Sequence, residues 1–398
     1  EITGQKIFIT SGDHDLTENI IHLVLARTTN APKGTKGISL FLVPKLEVNE
    51  DGSVGSRNGV STNSIESKMG IKGSPTCVLN FENSKGIMIG PENKGLNSMF
   101  TMMNLERIVV GVQGLGIAET AYQNAVAYSK ERKQGKANNS KNGETDIIIK
   151  HADIRRSLMN MKSIIEGQRS FAFWLSQQID VSLSHDNKDV RSHASNMVTL
   201  LTPVIKSFFT DNGVEITNDA IQVFGGYGYT KDQGIEQLFR DNRITPIYEG
   251  TNSVQAIDLV YRKISSEGIF ENFIKSMDDE IKNFKHEKNL EIFLSIYEKY
   301  KEILVSFTKW MREKMNSNKD DASAACNDYL KVLGYTALAF AWIKTLKVSF
   351  EKQSSNKDFY EDKINTGKYY FEKILPRAQS HYVVGTSGSH TTMNAKFN

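Results

Sequence analysis

The most informative stretch of the sequence is Gln222-Val-Phe-Gly-Gly-Tyr-Gly-Tyr229, which is followed by Arg240-Asp-Asn-Arg-Ile244 and by Tyr248-Glu-Gly-Thr-Asn252. A glycine cluster after a helix is usually a tight turn, because glycine adopts positive φ without a steric penalty. The three stretches together, in this order and at this spacing, are more specific than any one of them alone.

The N-terminal region, residues 1–90, carries short β-rich runs separated by turn residues. The runs are Lys6–Thr10, Ile20–Ala26, Gly37–Val43 and Thr76–Phe81. This pattern predicts the remaining part of an antiparallel, barrel-like β-domain. Because the sequence starts at Glu1 and enters a strand at once, we expect that an N-terminal part of the protein is missing.

Helical spacing begins after Pro91, with apolar residues three or four apart. It predicts a helical bundle over residues 91–263, interrupted by polar loops at Gly135–Glu144 and Ser182–Lys188. Residues 264–398 form an additional predicted helical domain. Its helices are expected at Ile269–Phe284, Leu290–Met315, Ala322–Phe350 and Asp358–Leu375. The tail after Pro376 shows no clear period. The β-rich region followed by helical regions predicts the fold class α+β, with domains at 1–90, 91–263 and 264–398.

The composition excludes several classes of protein. The 398 residues include 49 Lys and Arg against 46 Asp and Glu, a net charge of +3 that requires neither a nucleic acid nor an acidic membrane as partner. Only Cys77 and Cys326 are cysteines, so no disulfide framework and no metal site is expected. No apolar run approaches the roughly 18 residues of a membrane span. We therefore expect a cytoplasmic protein that makes no membrane contact.

The three motifs resemble the C-terminal half of the acyl-CoA dehydrogenases, which have Gln-x-x-Gly-Gly, Arg-Asp and Tyr-Glu-Gly-Thr stretches in this order and at this spacing. The resemblance extends over nearly the whole chain, through Phe8-Ile-Thr-Ser-Gly12, Asn104-Leu-Glu-Arg107 and Glu131-Arg-Lys-Gln134. The C-terminal region, with Phe359–Lys363 and Leu375–Ala378, resembles the extra helical domain of some branches. Among those branches the 3-methylmercaptopropionyl-CoA dehydrogenases are the nearest match.

The resemblance implies an FAD-dependent enzyme that converts a saturated acyl-CoA thioester to its trans-2-enoyl-CoA. It implies 3-methylmercaptopropionyl-CoA or a short- or medium-chain fatty acyl-CoA as substrate, and an electron-transfer flavoprotein as electron acceptor. It also implies assembly at least as a homodimer. The alternative is a DNA-associated flavoprotein of the same superfamily without dehydrogenase activity. The interleaved and nearly balanced charges of residues 264–398 argue against that alternative.

Glu249 matches the catalytic base of the family. Removal of a proton from the α-carbon of a thioester needs a carboxylate in a dry pocket, where desolvation raises its pKa toward the working pH. Without the neighbouring motifs, Glu249 would be interpreted as an ordinary turn residue. Glu106 is a second candidate, because some branches place the base on that earlier helix. Glu106 is assigned to the substrate pocket, together with Arg107, Tyr248 and Gly250.

Nine positions match family contacts to FAD. Phe8 and Thr10 correspond to the residues beside the isoalloxazine ring, although Phe8 alone would be interpreted as strand core. Residues implied to reach the FAD of a neighbouring subunit are Arg132 and Gln134 at the pyrophosphate and Gln222, Gly225 and Gly226 at the adenine. Residues implied to touch the chain's own FAD are Thr251 and Ser253. A guanidinium suits a pyrophosphate because it donates two parallel hydrogen bonds, although a surface arginine such as Arg132 is ordinarily only solvated.

Two other features are not assigned to a site. The sequence Gly111-Val-Gln-Gly-Leu-Gly116 superficially resembles a phosphate-binding loop, but it lies within helical spacing and follows no strand. Close helix packing is therefore the favoured interpretation. His14, near the inferred flavin strand, is interpreted as polar surface.

Overall fold

The computed structural model of the chain describes residues 1–138, 145–266 and 268–397. It divides into two compact units, Glu1–Glu106 and Arg107–Asn398. The loop predicted at Gly135–Glu144 falls mostly on residues 139–144, which lie outside the described residues. The division into three domains stays a prediction.

The first unit is built from short antiparallel strands. They are β1 (Ile2–Thr10), β2 (Ile21–Ala26), β3 (Ser39–Pro44), β4 (Leu46–Val48), β5 (Val54–Arg57), β6 (Val60–Ile65), β7 (Thr76–Ser84) and β8 (Ile87–Ile89). Two three-stranded sheets have the orders β1-β7-β6 and β2-β3-β8, and β4 pairs with β5. The antiparallel class is confirmed, and in the described residues of this unit the strands form separate small sheets rather than one closed barrel.

The core of the first unit forms where apolar residues alternate along the strands. Cys77, Leu79 and Phe81 of β7 are buried on one face, as the two-residue period of a strand requires. They pack with buried valines of β2 and β3, Val24 and Val43. Strands β4, β5, β6 and β8 were not predicted, because they are short or polar. Hydrogen bonds to neighbouring strands define them, rather than an alternation of apolar residues.

The second unit is helical. Helix α1 (Gly95–Glu131) begins in the first unit and continues into the second. The other helices are α2 (Ala152–Ser184), α3 (Lys188–Val204), α4 (Thr210–Phe224), α5 (Ile235–Asn242), α6 (Asn252–Asp258), α7 (Ile269–Ile281), α8 (Glu291–Ser317), α9 (Lys319–Lys352), α10 (Lys357–Tyr369), α11 (Arg377–Thr386) and α12 (His390–Met393). Wider π-helical turns follow α3, α6 and α10. The loop predicted at 182–188 lies between α2 and α3 but is shorter, because it spans only residues 185–187.

Helix α9 is the centre of the second unit. Its segment Ala337–Ile343 is buried on every side, as expected for a helix that is apolar all round. The indole Nε1 of Trp342 donates a hydrogen bond of 3.1 Å to the carbonyl oxygen of Ser163 on α2. The carbonyl oxygen of Tyr335 accepts one of 2.8 Å from the hydroxyl of Tyr370. The C-terminal helices therefore pack directly on the bundle within this unit.

The sequence shows no clear period after Pro376, and the structure has two helices there, α11 and α12. Small residues, not an apolar stripe, let α11 approach its neighbours. A Cβ at Gly385 would lie 2.4 Å from Cζ of Phe307 on α8. Ser389 closes the segment, since both its N–H and its hydroxyl donate bonds of 2.8 Å to Asp321. Such contacts leave no period in the sequence.

Among the helices of the described residues, none has the length and apolar character needed to cross a membrane.

Candidate active site

The motif Tyr248–Asn252 lies in the second unit, in the loop between α5 and α6. Glu249 has φ +56° and Gly250 has φ +86°, so two successive residues adopt left-handed conformations. A non-glycine residue in this region is strained and persists only where its surroundings fix it. Thr251 ends the loop, because its Oγ1 accepts a hydrogen bond of 3.4 Å from the N–H of Val254 and caps α6.

Side chains from two helices hold this loop. The carbonyl oxygen of Glu249 accepts a hydrogen bond of 3.1 Å from Nε2 of Gln255, a buried residue of α6. The same oxygen accepts one of 3.4 Å from Nε of Arg107 on α1. The hydroxyl of Tyr248 donates to Oε1 of Gln113, also on α1. Two of these bonds engage the backbone carbonyl of Glu249 and therefore hold the main chain of the loop at this residue.

A cavity of about 660 Å³ collects five of the predicted cofactor residues. Arg132, Gln134, Gln222, Gly225 and Gly226 all line it. Gly225 ends α4 with φ +59° and ψ −136°, a conformation that glycine alone adopts readily. A Cβ added at Gly225 or Gly226 would meet no atom within 4 Å. The backbone therefore faces open space, which another molecule can approach closely.

The cationic wall of this cavity is fixed by main-chain pairing. The N–H of Ile148 donates a hydrogen bond of 2.8 Å to the carbonyl oxygen of Arg132, and the N–H of Gln134 donates one of 2.9 Å to that of Asp146. The guanidinium carbon of Arg132 lies 5.7 Å from the centre of the Tyr227 ring, which is the distance of a cation–π contact. The arginine is thus oriented rather than freely solvated.

Three predicted site residues belong to the first unit. Phe8 has φ +58° and lies where the pairing of β1 with β7 shifts by a bulge between Lys6 and Ile9. Its side chain is 68% exposed, so the interpretation as strand core does not hold. Thr10 ends β1 and pairs with Thr76. Glu106 is an exposed residue of α1 at the end of this unit.

The remaining predicted site residue, Ser253, follows the loop and lies in the first turn of α6. Its hydroxyl accepts a hydrogen bond of 3.4 Å from Nδ2 of Asn327 on α9. Outside the site, Nδ1 of His14 accepts a hydrogen bond of 3.3 Å from the N–H of Leu16 in a surface loop. That contact agrees with the interpretation of His14 as a polar loop residue.

Sequence reasoning missed several residues that shape the site: Gln113, Lys206, Tyr227, Asn252 and Gln255. Gln113 lies six residues after Arg107 on α1, and Gln255 lies six residues after Glu249. Neither spacing belongs to a recognised catalytic pattern. The one available signal was Lys206, a lysine in the mostly apolar run Val204–Phe209.

Comparison with known families identifies the class of protein. Residues 93–264 match the family model "Acyl-CoA dehydrogenase, C-terminal domain", and residues 273–396 match "Acetyl-CoA dehydrogenase C-terminal like". The chain therefore belongs to the acyl-CoA dehydrogenase family.

Two curated relatives illustrate the similarity. The chain is 44% identical over 267 residues to 3-methylmercaptopropionyl-CoA dehydrogenase of Ruegeria pomeroyi. The matched region covers 67% of this chain and 45% of the relative. The chain is 40% identical over 295 residues to butyryl-CoA dehydrogenase of Syntrophomonas wolfei, which covers 72% of this chain and 48% of the relative. The chain thus spans about half the length of these curated relatives.

Solved structures share the fold. Caenorhabditis elegans ACDH-11 in complex with C11-CoA has a TM-score of 0.74 at 24% identity, over 99% of this chain and 63% of that one. An acyl-CoA dehydrogenase from Bacillus anthracis complexed with FAD has a TM-score of 0.73 at 19% identity, over 98% of this chain and 65% of that one. At these identities the likeness concerns the fold alone.

Proposed function

We propose that this chain is the part of an FAD-dependent acyl-CoA dehydrogenase that carries the catalytic base and part of the cofactor site. The reaction is the α,β-dehydrogenation of an acyl-CoA thioester to the trans-2-enoyl-CoA. The observation that carries the proposal is the strained backbone of Glu249, whose carbonyl oxygen is held by Arg107 and Gln255. Strain of this kind concentrates at functional sites, where the surroundings maintain it.

Glu249 takes the proton from the α-carbon of the thioester in this proposal. A base acts efficiently only within hydrogen-bond reach of the proton that it removes, so a fixed backbone is an advantage. As negative charge develops on the thioester oxygen, the backbone N–H of Glu249 donates a hydrogen bond to it. Arg107, Tyr248 and Gly250 shape the loop around the base, and Glu106 serves the acyl pocket.

The residues of the 660 Å³ cavity fit the diphosphate and adenosine portions of FAD. Arg132 offers a planar guanidinium that suits a pyrophosphate, and the side chain of Gln134 adds a polar contact. The open glycine backbone at Gly225 and Gly226 admits a flat or charged group at close range. Phe8, Thr10, Thr251 and Ser253 would hold the other parts of the cofactor. When bound, FAD supplies the acceptor for the β-hydride.

The substrate within this class is proposed to be 3-methylmercaptopropionyl-CoA or another short- or medium-chain acyl-CoA. The proposal rests on the similarity to the Ruegeria pomeroyi and Syntrophomonas wolfei enzymes. An electron-transfer flavoprotein as acceptor, and a homodimer that shares FAD contacts across its subunits, complete the proposal. The cytoplasmic location stays a prediction.

Anaerobic bleaching of the flavin tests the proposed function. The purified flavoprotein is mixed with a panel of acyl-CoAs that includes 3-methylmercaptopropionyl-CoA, butyryl-CoA, octanoyl-CoA and palmitoyl-CoA. Reduction of the flavin with formation of the matching enoyl-CoA is the expected result, fastest with the first two substrates. A flavin that no acyl-CoA bleaches would contradict the proposed activity. Preferential bleaching by palmitoyl-CoA would contradict the substrate class alone.

A further inference from the structure

Lys206 is a lysine with no exposed surface, which is rare for this residue type. It lies in the π-helical turn Ile205–Phe209 that joins α3 to α4. Such turns insert an extra residue into a helix and are frequent at functional sites. Pro203, two residues before the turn, lacks an N–H for the helical ladder. The turn places the ammonium group inside the unit rather than in solvent.

The partner of Lys206 belongs to the base-bearing loop. Its Nζ donates a hydrogen bond of 2.9 Å to Oδ1 of Asn252, which is also buried. Asn252 is the last residue of the Tyr248–Asn252 motif, and its N–H donates a bond of 3.0 Å to the carbonyl oxygen of Pro246. The backbone of Asn252 therefore closes the loop onto Pro246, and its side chain ties the loop to the π-helical turn.

The amide group of Asn252 is saturated by the same turn and by α4. Its Nδ2 lies 3.2 Å from the carbonyl oxygen of Ser207, 3.0 Å from Oγ1 of Thr210 and 2.7 Å from Oδ1 of Asp211. A buried polar network in which each member is satisfied gives a site one defined geometry. The network places the ammonium of Lys206 on one side of Asn252 and the carboxyl group of Asp211 on the other.

The charged groups around Lys206 come from several elements. Burial lowers the pKa of Lys206 to about 8, while Asp211 and Glu249 raise it and Arg107 lowers it further. Burial also raises the pKa of Asp211, against the opposing effects of its bond from Asn252 and of Lys331, Lys206 and Arg243. The charged groups that act on Lys206 therefore lie on α4, on the base-bearing loop and on α1.

We propose that Lys206 is a positioning residue for Glu249, which holds the base-bearing loop through its hydrogen bond to Asn252. This inference deepens the proposed function and rests on it. Asn252 is the second positioning residue, and neither side chain is assigned contact with substrate.

Two substitutions at one position separate the charge from the hydrogen bond. Lys206→Met keeps the length and the apolar packing but removes both the charge and the donor, whereas Lys206→Gln removes the charge and retains a donor for Asn252. The matched control is Lys301→Met. Lys301 is a mostly buried lysine of α8 whose partners are Asp278 and Glu298. Its substitution tests the general effect of removing a buried lysine from this unit.

The first measurement is kcat and KM of the purified flavoprotein, with the substrate that bleaches its flavin fastest. In Lys206→Met we expect kcat to fall about tenfold or more while KM changes less than about threefold. In Lys206→Gln, which retains a donor for Asn252, kcat should fall less than in Lys206→Met. Lys301→Met should leave both constants unchanged.

The second measurement is hydrogen exchange of the amides, which does not depend on activity. The N–H groups of Asn252 and Gln255, bonded to Pro246 and Thr251, should exchange about tenfold faster in Lys206→Met than in the wild type. In Lys206→Gln the increase should be smaller, and in both variants the amides of α8 should exchange as in the wild type. In Lys301→Met the amides of α8 should exchange faster and those of Asn252 and Gln255 should be unchanged.

The outcomes distinguish this inference from the proposed function. A wild-type flavin that no acyl-CoA reduces would contradict the proposed function, and the exchange data would still decide whether Lys206 holds the loop. If the wild type is active, a kcat that Lys206→Met leaves unchanged would overturn the role of Lys206 in placing the base. Unchanged exchange at Asn252 and Gln255 would overturn its role in positioning.

Discussion

Gln255 donates a hydrogen bond of 3.1 Å from its Nε2 to the backbone carbonyl oxygen of Glu249, and Gln255 is fully buried. The core of the second unit therefore fixes the backbone of the candidate base. A conservative substitution at Glu249 leaves these backbone bonds in place and changes the proton acceptor, which makes it informative about the base.

Glu249→Gln should retain FAD and acyl-CoA binding while losing most of the dehydrogenation activity. The amide preserves the shape of the side chain but cannot accept the α-proton, so we expect a loss of about 10²-fold or more in the rate of flavin reduction. Stopped-flow bleaching and titration with an acyl-CoA measure the two properties. The comparison variant is Glu106→Gln. If that substitution is the crippling one and Glu249→Gln is nearly silent, the assignment of the base is reversed.

Arg132→Ala should weaken both flavin retention and dimerisation. The guanidinium lines the cavity and is oriented by Tyr227, and it is proposed to hold the FAD of the neighbouring subunit. Binding that occurs across an interface links cofactor and assembly by mass action. Sedimentation velocity and the flavin absorbance of the same sample measure both quantities. Lys133→Ala, at the exposed next position, is the control. A monomer with fully bound flavin would remove the basis for the cross-subunit assignment.

Gly111→Ala and Gly116→Ala should have opposite effects on stability, although both glycines lie on α1. A Cβ at Gly111 would lie 2.5 Å from Cγ2 of Ile205 and 2.7 Å from its carbonyl oxygen, so we expect a destabilisation of about 1–3 kcal/mol from overpacking. At Gly116 a Cβ meets nothing within 4 Å. Alanine there should stabilise the helix by roughly 0.5–1 kcal/mol. Denaturant unfolding measures both, and equal effects would contradict the close packing.

The stability of the protein should rise between about pH 8 and pH 10.5 through Lys206. The pKa of this lysine is about 8 in the folded chain, against 10.5 for an unperturbed lysine. In that window the unfolded chain keeps a proton that the folded chain has lost, so stability increases with pH; below pH 8 both states are protonated and the contribution is constant. The rise amounts to roughly 3 kcal/mol.

This pH effect is measured as the difference in unfolding free energy between wild type and Lys206→Met at several pH values. The subtraction removes contributions from the buried tyrosines, which both proteins share. The variant lacks the titrating group, so the unfolding free energy of the wild type should rise relative to that of the variant between about pH 8 and pH 10.5. Parallel curves for the two proteins would show that Lys206 does not titrate there.

Local sequence patterns predicted much of the helical architecture. The helices α7 to α10 were predicted close to their observed bounds, because apolar residues recur every three or four positions in α7, α8 and α10 and α9 carries a longer apolar stretch that is buried on every side. The interpretation of Gly111–Gly116 as helix packing is supported for the same reason, since Gly111 and Gly114 lie against Ile205 and Thr210. In contrast, α11 was missed because its buried residues are the small Ala378 and Gly385, and small residues leave no hydrophobic period.

The sequence by itself determined the family and the succession of a β-rich region by helices, and it predicted the site motifs, because these depend on residue types at fixed spacings along the chain. Only the tertiary structure decided that Gln255 and Arg107 hold the carbonyl of Glu249, and that Lys206 is bonded to Asn252 forty-six residues away. The physical reason is that such partners meet through the packing of separate helices. No local rule of spacing relates a lysine in a π-helical turn to an asparagine that begins another helix.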